Sequence, residues 1–429
     1  MTLAEWLEYI ERQHLKSIDM GLERVREVAA RMGLARPAER VVTVGGTNGK
    51  GSTVAFLEAI AREAGWRVGC YTSPHLLAYN ERVRIDGHQA GDQELVGAFE
   101  AVEAARGDTA LTYFEYGTLA ALWLFERAGL DLAVLEVGLG GRLDATNLVD
   151  ADVAVITTVD LDHQDWLGSD REAIGREKAG IARAWRPLVL GDDDPPSSVL
   201  GHAYAIGASA VRIGCDFFFD AAPGDAAPGH WRWREVGYEV DLPRPGLEAP
   251  TQLRNAAVAI AALRALDWPE GKAISDAALA RGVAGARLAG RLQRFALDEV
   301  EVVVDVGHNP QAATALAQWL AGNPVPGRTR AVYAALADKD AAGVVGALAE
   351  TVDDWYLAGL EDGGERACDA ATLLSRLADT AAAKASTHAD VAAAVQAARA
   401  GAGPGDRILV FGSFLAAAGA LRLLHSSGG

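Results

Sequence analysis

From Val41 to Ala61 the chain reads VVTVGGTNGKGSTVAFLEAIA. A β-branched apolar run (Val41, Val42, Val44) stops at a glycine-rich turn, and apolar residues then recur at helical spacing. This pattern predicts strand, turn and helix in succession, and the alternation continues along the chain. Residues 1–35 read as helices separated around Gln13–Ser17, with helical spacing over Ile18–Gly33 that stops at a glycine. A strand is expected at Trp66–Ser73, then a polar loop, SPHLLAYNERVRIDG, without a clear period. Next come a helix at Phe114–Ala128 and a strand at Leu132–Gly141. Val153–Gly168 starts as another apolar strand, and REAIGREKAGIAR returns to a helical pattern. Residues 184–249 are irregular and strand-rich, with WRW at 231–233 placed in a hairpin core, and Gln252–Ala265 is an alanine-rich helix.

The composition breaks near Arg287–Gly290. Beyond it, Val300–Leu320 restarts as strand, polar turn and helix. Arg330–Leu336, Asp354–Leu360 and Arg407–Phe411 extend the series. Alternation of this kind implies a second domain with a parallel sheet. No internal repeat of fixed period is visible.

Chemistry enters at the first turn. Gly45, Gly46, Gly49 and Gly51 let the backbone turn tightly and approach a bound group, Lys50 adds a positive charge, and Ser52 and Thr53 add hydroxyls at the helix start. Together these are the parts of a phosphate-cradling loop. The search pattern G-x-x-x-x-G-K-[ST] fails, because position 44 is Val and Gly51 separates Lys50 from Ser52. Polar residues also gather at strand ends, where open α/β sheets bind ligands. Glu136, inside an apolar strand, reads either as a partner for a core arginine or as a metal ligand. Asp160, Asp162, His163 and Asp165 close the Val153 strand, where His163 is either structural or a metal or catalytic group. Lys178 reads as a solvated helix lysine. Asp305, His308 and Asn309 read either as a site facing a shared cleft or as turn and capping residues.

With 429 residues, half of them hydrophobic, the chain can build two or three cores. Its 40 basic and 58 acidic residues give a net charge of −18, which argues against nucleic-acid or anionic-membrane partners. Three scattered cysteines, Cys70, Cys215 and Cys368, form neither a CxxC pair nor a zinc spacing and fit a reduced compartment. The acidic, amphipathic N-terminus does not read as a signal peptide. The longest weakly polar stretch, Ile408–Leu421, falls short of the roughly 20 residues that span a bilayer and reads as buried strand, turn and helix. A soluble cytoplasmic protein is expected.

These residues resemble the folylpolyglutamate synthase family, relatives of the Mur ligases. The resemblance runs through GTNGKGST (46–53), TSPHL (72–76), ERVRIDG (81–87), LEVGLGGRLDATN (135–147), DLDHQDWLG (160–168), EKAGI (177–181), GRLQRF (290–295) and DVGHNP (305–310). IDMGLERV and TYFEYGTLAALWLF are similar to the bifunctional bacterial form, which joins dihydrofolate synthase and folylpolyglutamate synthase activities. Only about forty residues precede the glycine loop, too few for the UDP-sugar-binding domain of a Mur ligase.

The resemblance implies an α/β fold: a P-loop Mur-ligase-like N-terminal domain over 1–286 and a smaller Rossmann-like C-terminal domain over 287–429 that closes over the site. It implies ATP-dependent addition of L-glutamate to dihydropteroate and to folates through an acyl phosphate; the alternative is a monofunctional folylpolyglutamate synthase. Thr47, Asn48, Gly49, Lys50 and Gly51 would cradle the phosphates. Ser52, Glu136, His163 and a carbamylated Lys178 would hold two magnesium ions. Lys50, Lys178, His163 and Arg291 are the expected catalytic groups. Asn255, Arg291 and Asp305 would contact the nucleotide. Thr112, Phe114, Asp144 and Ala145 would hold the pterin, and His308 and Ser413 the incoming glutamate. A monomer without nucleic-acid or membrane partners completes the expectation.

Overall fold

The computed structural model describes every residue except 15, 17, 225, 269–271, 361–363, 365, 428 and 429. It divides into two compact units, each assembled from separated stretches of chain. The larger comprises Met1–His75, Tyr79–Gly246 and Gln252–Arg287; the smaller comprises Leu76–Ala78, Leu247–Thr251 and Leu288–Gly429. Two short excursions, at 76–78 and 247–251, thus leave the larger unit before the last crossing, after Arg287.

An eight-stranded sheet forms the larger unit. Its strand order is His88–Gln89, Val83–Ile85, Val68–Tyr71, Leu130–Glu136, Ala38–Gly45, Val153–Ile156, Pro187–Leu190 and Ser209–Arg212. The six strands from Val68–Tyr71 onward run parallel, and the first two add antiparallel pairs at one edge. Val41, Val42 and Val44 are fully buried in a central strand, as expected where helices cover both faces of a parallel sheet. Parallel pairing also aligns the strands' carboxyl ends. Val44 lies opposite Glu136, and Gly45 lies opposite Ile156.

A three-stranded antiparallel sheet (Phe217–Asp220, His230–Glu235, Tyr238–Pro243) belongs to the same unit. Trp231 and Trp233 are fully buried there. Their indole N–H groups donate to Pro243 O at 2.9 Å and Ala257 O at 3.1 Å. The WRW run is therefore core, with the polar tip of each ring satisfied.

The smaller unit holds a six-stranded sheet ordered Gln293–Leu297, Val300–Val304, Arg407–Phe411, Thr329–Tyr333, Asp354–Ala358 and Ser386–His388. Its first pair is antiparallel, and the others are parallel. Ile408–Leu421 is buried strand followed by helix, and no helix among the described residues is long and apolar enough to cross a membrane.

Three expectations need correction. The helix sought over Ile18–Gly33 begins only at Glu23. Arg24, in the first turn, pairs with both Asp19 and Glu115, and residues 18–22 ahead of it are not helical. Of the break expected around Gln13–Ser17, residues 15 and 17 lie outside the described residues. The loop after Pro74 is also more regular than its composition suggests, with a helical turn at Tyr79–Arg82 and strands at Val83–Ile85 and His88–Gln89. Finally, the helices Asp92–Arg106 and Ser197–Ile206 stand where none was expected.

Candidate active site

The glycine loop joins the strand Ala38–Gly45 to the helix Lys50–Glu63. Gly49 caps that helix at φ +85°, a left-handed conformation that strains any other residue. A Cβ there would also approach Asn255 Oδ1 to 2.6 Å, so Asn255 packs directly on the loop. Asn255 Nδ2 donates to Gln252 Oε1 at 2.9 Å, which sets its orientation.

Thr47 N–H donates to Thr158 O at 2.8 Å, and Asp160 N–H donates to Thr47 Oγ1 at 3.0 Å. Asn48 N–H donates to Thr158 Oγ1 at 3.1 Å, while the Thr157 hydroxyl donates to Asn48 O at 2.6 Å. The loop is thus held in shape by residues after the adjacent strand. Thr157 and Thr158 perform this task without having stood out in the sequence. Lys50 Nζ donates to Gly46 O at 3.0 Å and Thr47 O at 3.2 Å, so its charge is folded into the loop. Ser52 is buried in the first turn of the helix.

Glu136 ends the strand beside the loop strand and is only 5% exposed. Ser73 N–H donates to Glu136 Oε2 at 3.2 Å, which brings this residue of the TSPHL segment beside the carboxylate, although it had not been singled out as a site residue. Arg84, a nearby arginine, pairs with Glu58 at 2.8 Å and also feels the charge of Glu136. His163, at φ +53°, starts the short helix Gln164–Leu167, with its ring 3.9 Å from Asp162.

Lys178 overturns its reading as a solvated lysine, since only 4% of it is exposed. The stretch before Asn147 folds over this end of its helix. Arg142 N–H donates to Glu177 O at 2.8 Å, and Asn147 Nδ2 bridges Arg142 O and Gly180 O at 3.0 Å each. Burial, reinforced by the charge of Lys50 and opposed by Asp162, lowers the Lys178 amine to about 7. Near neutrality a large share of this amine is therefore uncharged and nucleophilic.

The same loop carries Asp144, which is buried with its pKa raised by burial. Its oxygens accept from Gly138 N, Leu139 N, Thr146 N and Thr146 Oγ1 at 2.7–3.0 Å. Ala145 follows it in the core. Phe114 packs on the loop so closely that a Cβ on Gly138 would meet its ring at 2.7 Å. Thr112 caps the helix Tyr113–Ala128 in a reciprocal pair with Glu115, at 3.2 and 2.8 Å. These four residues therefore border one neighbourhood of the larger unit.

In the smaller unit, buried Asp305 accepts from Gly307 N at 2.7 Å and Leu292 N at 2.9 Å. Burial raises its pKa, opposed chiefly by Arg291. The Arg291 guanidinium lies 5.6 Å from the Phe414 ring centre, and the His308 ring lies 6.3 Å from it. Ser413 caps the following helix by accepting from Ala416 N at 3.0 Å. Phe414, unmarked in the sequence, therefore links Arg291, His308 and the loop of Ser413.

Among the described residues no group of three or more His, Cys, Asp or Glu side chains could by itself hold a metal. The expected donors fall outside that definition, because Ser52 offers a hydroxyl and Lys178 an amine. An acidic, buried Glu136 and a lysine of near-neutral pKa still suit a divalent cation, provided the lysine becomes an oxygen donor.

Residues 44–263 match the Mur ligase middle domain, and residues 290–414 match the Mur ligase glutamate ligase domain. The Escherichia coli dihydrofolate synthase/folylpolyglutamate synthase is 46% identical over 100% of this chain and 97% of its own length. The chain belongs to the dihydrofolate synthase/folylpolyglutamate synthase family. Within that family, the structure of E. coli FolC in complex with DHPP and ADP superposes with a TM-score of 0.92 at 45% identity, covering 100% of this chain and 99% of that one. A bifunctional folylpolyglutamate synthase/dihydrofolate synthase with Mn, AMPPNP and L-glutamate bound gives 0.89 at 45% identity, covering 99% and 98%.

The Lys178 shift predicts a pH signature. The folded amine titrates near 7 and the unfolded one near 10.5, so between those values the unfolded chain binds more protons. Stability should rise with pH across that window in carbon-dioxide-free buffer. Urea midpoints of the unaltered chain and Lys178→Met should converge at the alkaline end and separate as the pH falls. Parallel curves would contradict the assignment.

Proposed function

We propose that the chain is an ATP-dependent acid–amino-acid ligase that joins L-glutamate to dihydropteroate, giving dihydrofolate, and to folates, giving polyglutamates. The observation that carries this reading is the full-length match at 46% identity to a relative named for both activities. It favours the bifunctional reading over a monofunctional folylpolyglutamate synthase.

The chemistry needs no protein nucleophile. A carboxylate oxygen of the acceptor attacks the γ-phosphorus of ATP, ADP leaves, and the glutamate amine displaces phosphate from the acyl phosphate. Catalysis then rests on positioning and charge. Thr47, Asn48, Gly49, Lys50 and Gly51 take the phosphates, and Asn255 beside Gly49 takes the adenine. Arg291 and Asp305 are nucleotide contacts carried by the C-terminal domain of residues 287–429, and the phosphate loop belongs to the ATP-binding domain of residues 1–286.

Ser52, Glu136, His163 and Lys178 would hold two magnesium ions, which supply charge neutralisation for phosphoryl transfer. Ser73 orients Glu136 by donating its backbone N–H to Oε2. The neutral amine of Lys178 adds carbon dioxide and loses a proton, turning a buried cation into a carbamate oxygen donor. Thr112, Phe114, Asp144 and Ala145 hold the pterin, with Asp144 acting mainly by shaping the 138–147 loop. His308 and Ser413 receive the glutamate. A cytoplasmic location fits the three scattered cysteines, and a monomer is the accompanying reading.

Incubation with dihydropteroate, ATP and L-glutamate should yield dihydrofolate, ADP and phosphate. Turnover of folates alone, without dihydropteroate-dependent product, would leave the monofunctional alternative. Lys178→Ala should lower turnover by about 100-fold, with partial recovery in added acetate. Full activity with and without acetate would remove the carbamate from the account.

A further inference from the structure

Arg82 ends the helical turn Tyr79–Arg82 and is only 9% exposed. Its guanidinium lies 5.3 Å from the Tyr79 ring centre and 5.4 Å from that of Tyr113. Nε donates to His75 Nδ1 at 2.9 Å. A ring nitrogen that accepts carries no proton, so His75 is neutral and the group keeps its full positive charge. Among the described residues no carboxylate pairs with Arg82, and no other hydrogen bond engages its fork. Arg84, two positions along, shows the contrast: it is paired with Glu58 at 2.8 Å.

An arginine cannot relieve burial by losing its proton, and aromatic faces offset only part of the lost hydration. The terminal nitrogens of Arg82 therefore lie among aromatic rings without a carboxylate partner among the described residues. Tyr113 stands between Thr112 and Phe114, and the Phe114 ring lies 5.8 Å from that of Tyr71. Such surroundings suit an acid whose carboxylate is attached directly to an aromatic ring.

We propose that Arg82 is a binding residue for the carboxylate of the aromatic-acid acceptor, taken on its two terminal nitrogens with the half-buried Tyr113 beside the benzoate ring, while the core residue Tyr79 backs Tyr113 edge-to-face at 5.8 Å. This rests on the acceptor reading given above. It adds a cationic subsite to the pterin contacts and gives the ERVRIDG segment a role in selecting an acid over its neutral analogues.

The test is equilibrium binding of dihydropteroate and of its carboxamide to the full chain, with a non-hydrolysable ATP analogue present. The unaltered chain should prefer the acid by about 30-fold or more, as expected for a buried charge-assisted pair. Arg82→Gln should bring the two ligands within about threefold of each other and leave nucleotide affinity unchanged. An acid preference in Arg82→Gln equal to that of the unaltered chain overturns the proposal. If that variant does not fold, Arg82→Lys decides: loss of the planar fork should cut the preference at least about fivefold, and an undiminished preference overturns it. Failure of dihydropteroate to bind the unaltered chain would remove the acceptor reading itself, and this proposal with it.

Discussion

A lysine buried beside another lysine governs the chemistry at the carboxyl end of the larger sheet. Lys50 can hold its charge because loop carbonyls of Gly46 and Thr47 accept from it. Lys178 is pressed toward the neutral state by burial and by Lys50. Two cations in such a place are tolerable only if one is neutralised or if anions arrive. Both outcomes serve a ligase that binds a polyphosphate. The proposed carbamate takes the first route at Lys178, and the proposed phosphate contact takes the second at Lys50.

The fold creates this situation by parallel pairing. Alignment of the strands Ala38–Gly45, Leu130–Glu136 and Val153–Ile156 brings the glycine loop, Glu136 and Thr157–Asp160 to one edge. The loop after Glu136 then folds over the helix that carries Lys178 and closes it from water. Asp144 secures that loop through four hydrogen bonds, so one carboxylate serves both the lysine's burial and the neighbourhood of Phe114. Farther along, Arg24 ties the N-terminal segment to Glu115, whose partner Thr112 begins the helix Tyr113–Ala128.

Much of this was legible because certain residue types have few alternatives in their order. A valine run, four glycines, a lysine and two hydroxyls specify strand, tight loop and helix even when a spacing rule fails. Carboxylates and histidine at strand ends were also visible. Burial was not. Lys178 lies in a charged helical pattern, and only the tertiary packing of residues 142–147 separates it from a surface lysine. Thr157 and Thr158 look like ordinary strand-end residues until their hydroxyls are seen to hold Asn48. Phe414 acquires meaning only when Arg291 and His308 are found around it. The helix Asp92–Arg106 did carry a signal, since Leu95, Phe99 and Val102 recur on one buried face and Glu94 accepts from Gly91 N at its start.

Transfer of a phosphoryl group to the acceptor's own carboxylate is the central step of the proposed reaction. Dihydropteroate labelled with oxygen-18 in both carboxylate oxygens, turned over with ATP and L-glutamate, tests this directly. One labelled oxygen should appear in the released inorganic phosphate and the other in the new amide. Phosphate released without label, or label found in AMP, would contradict the mechanism.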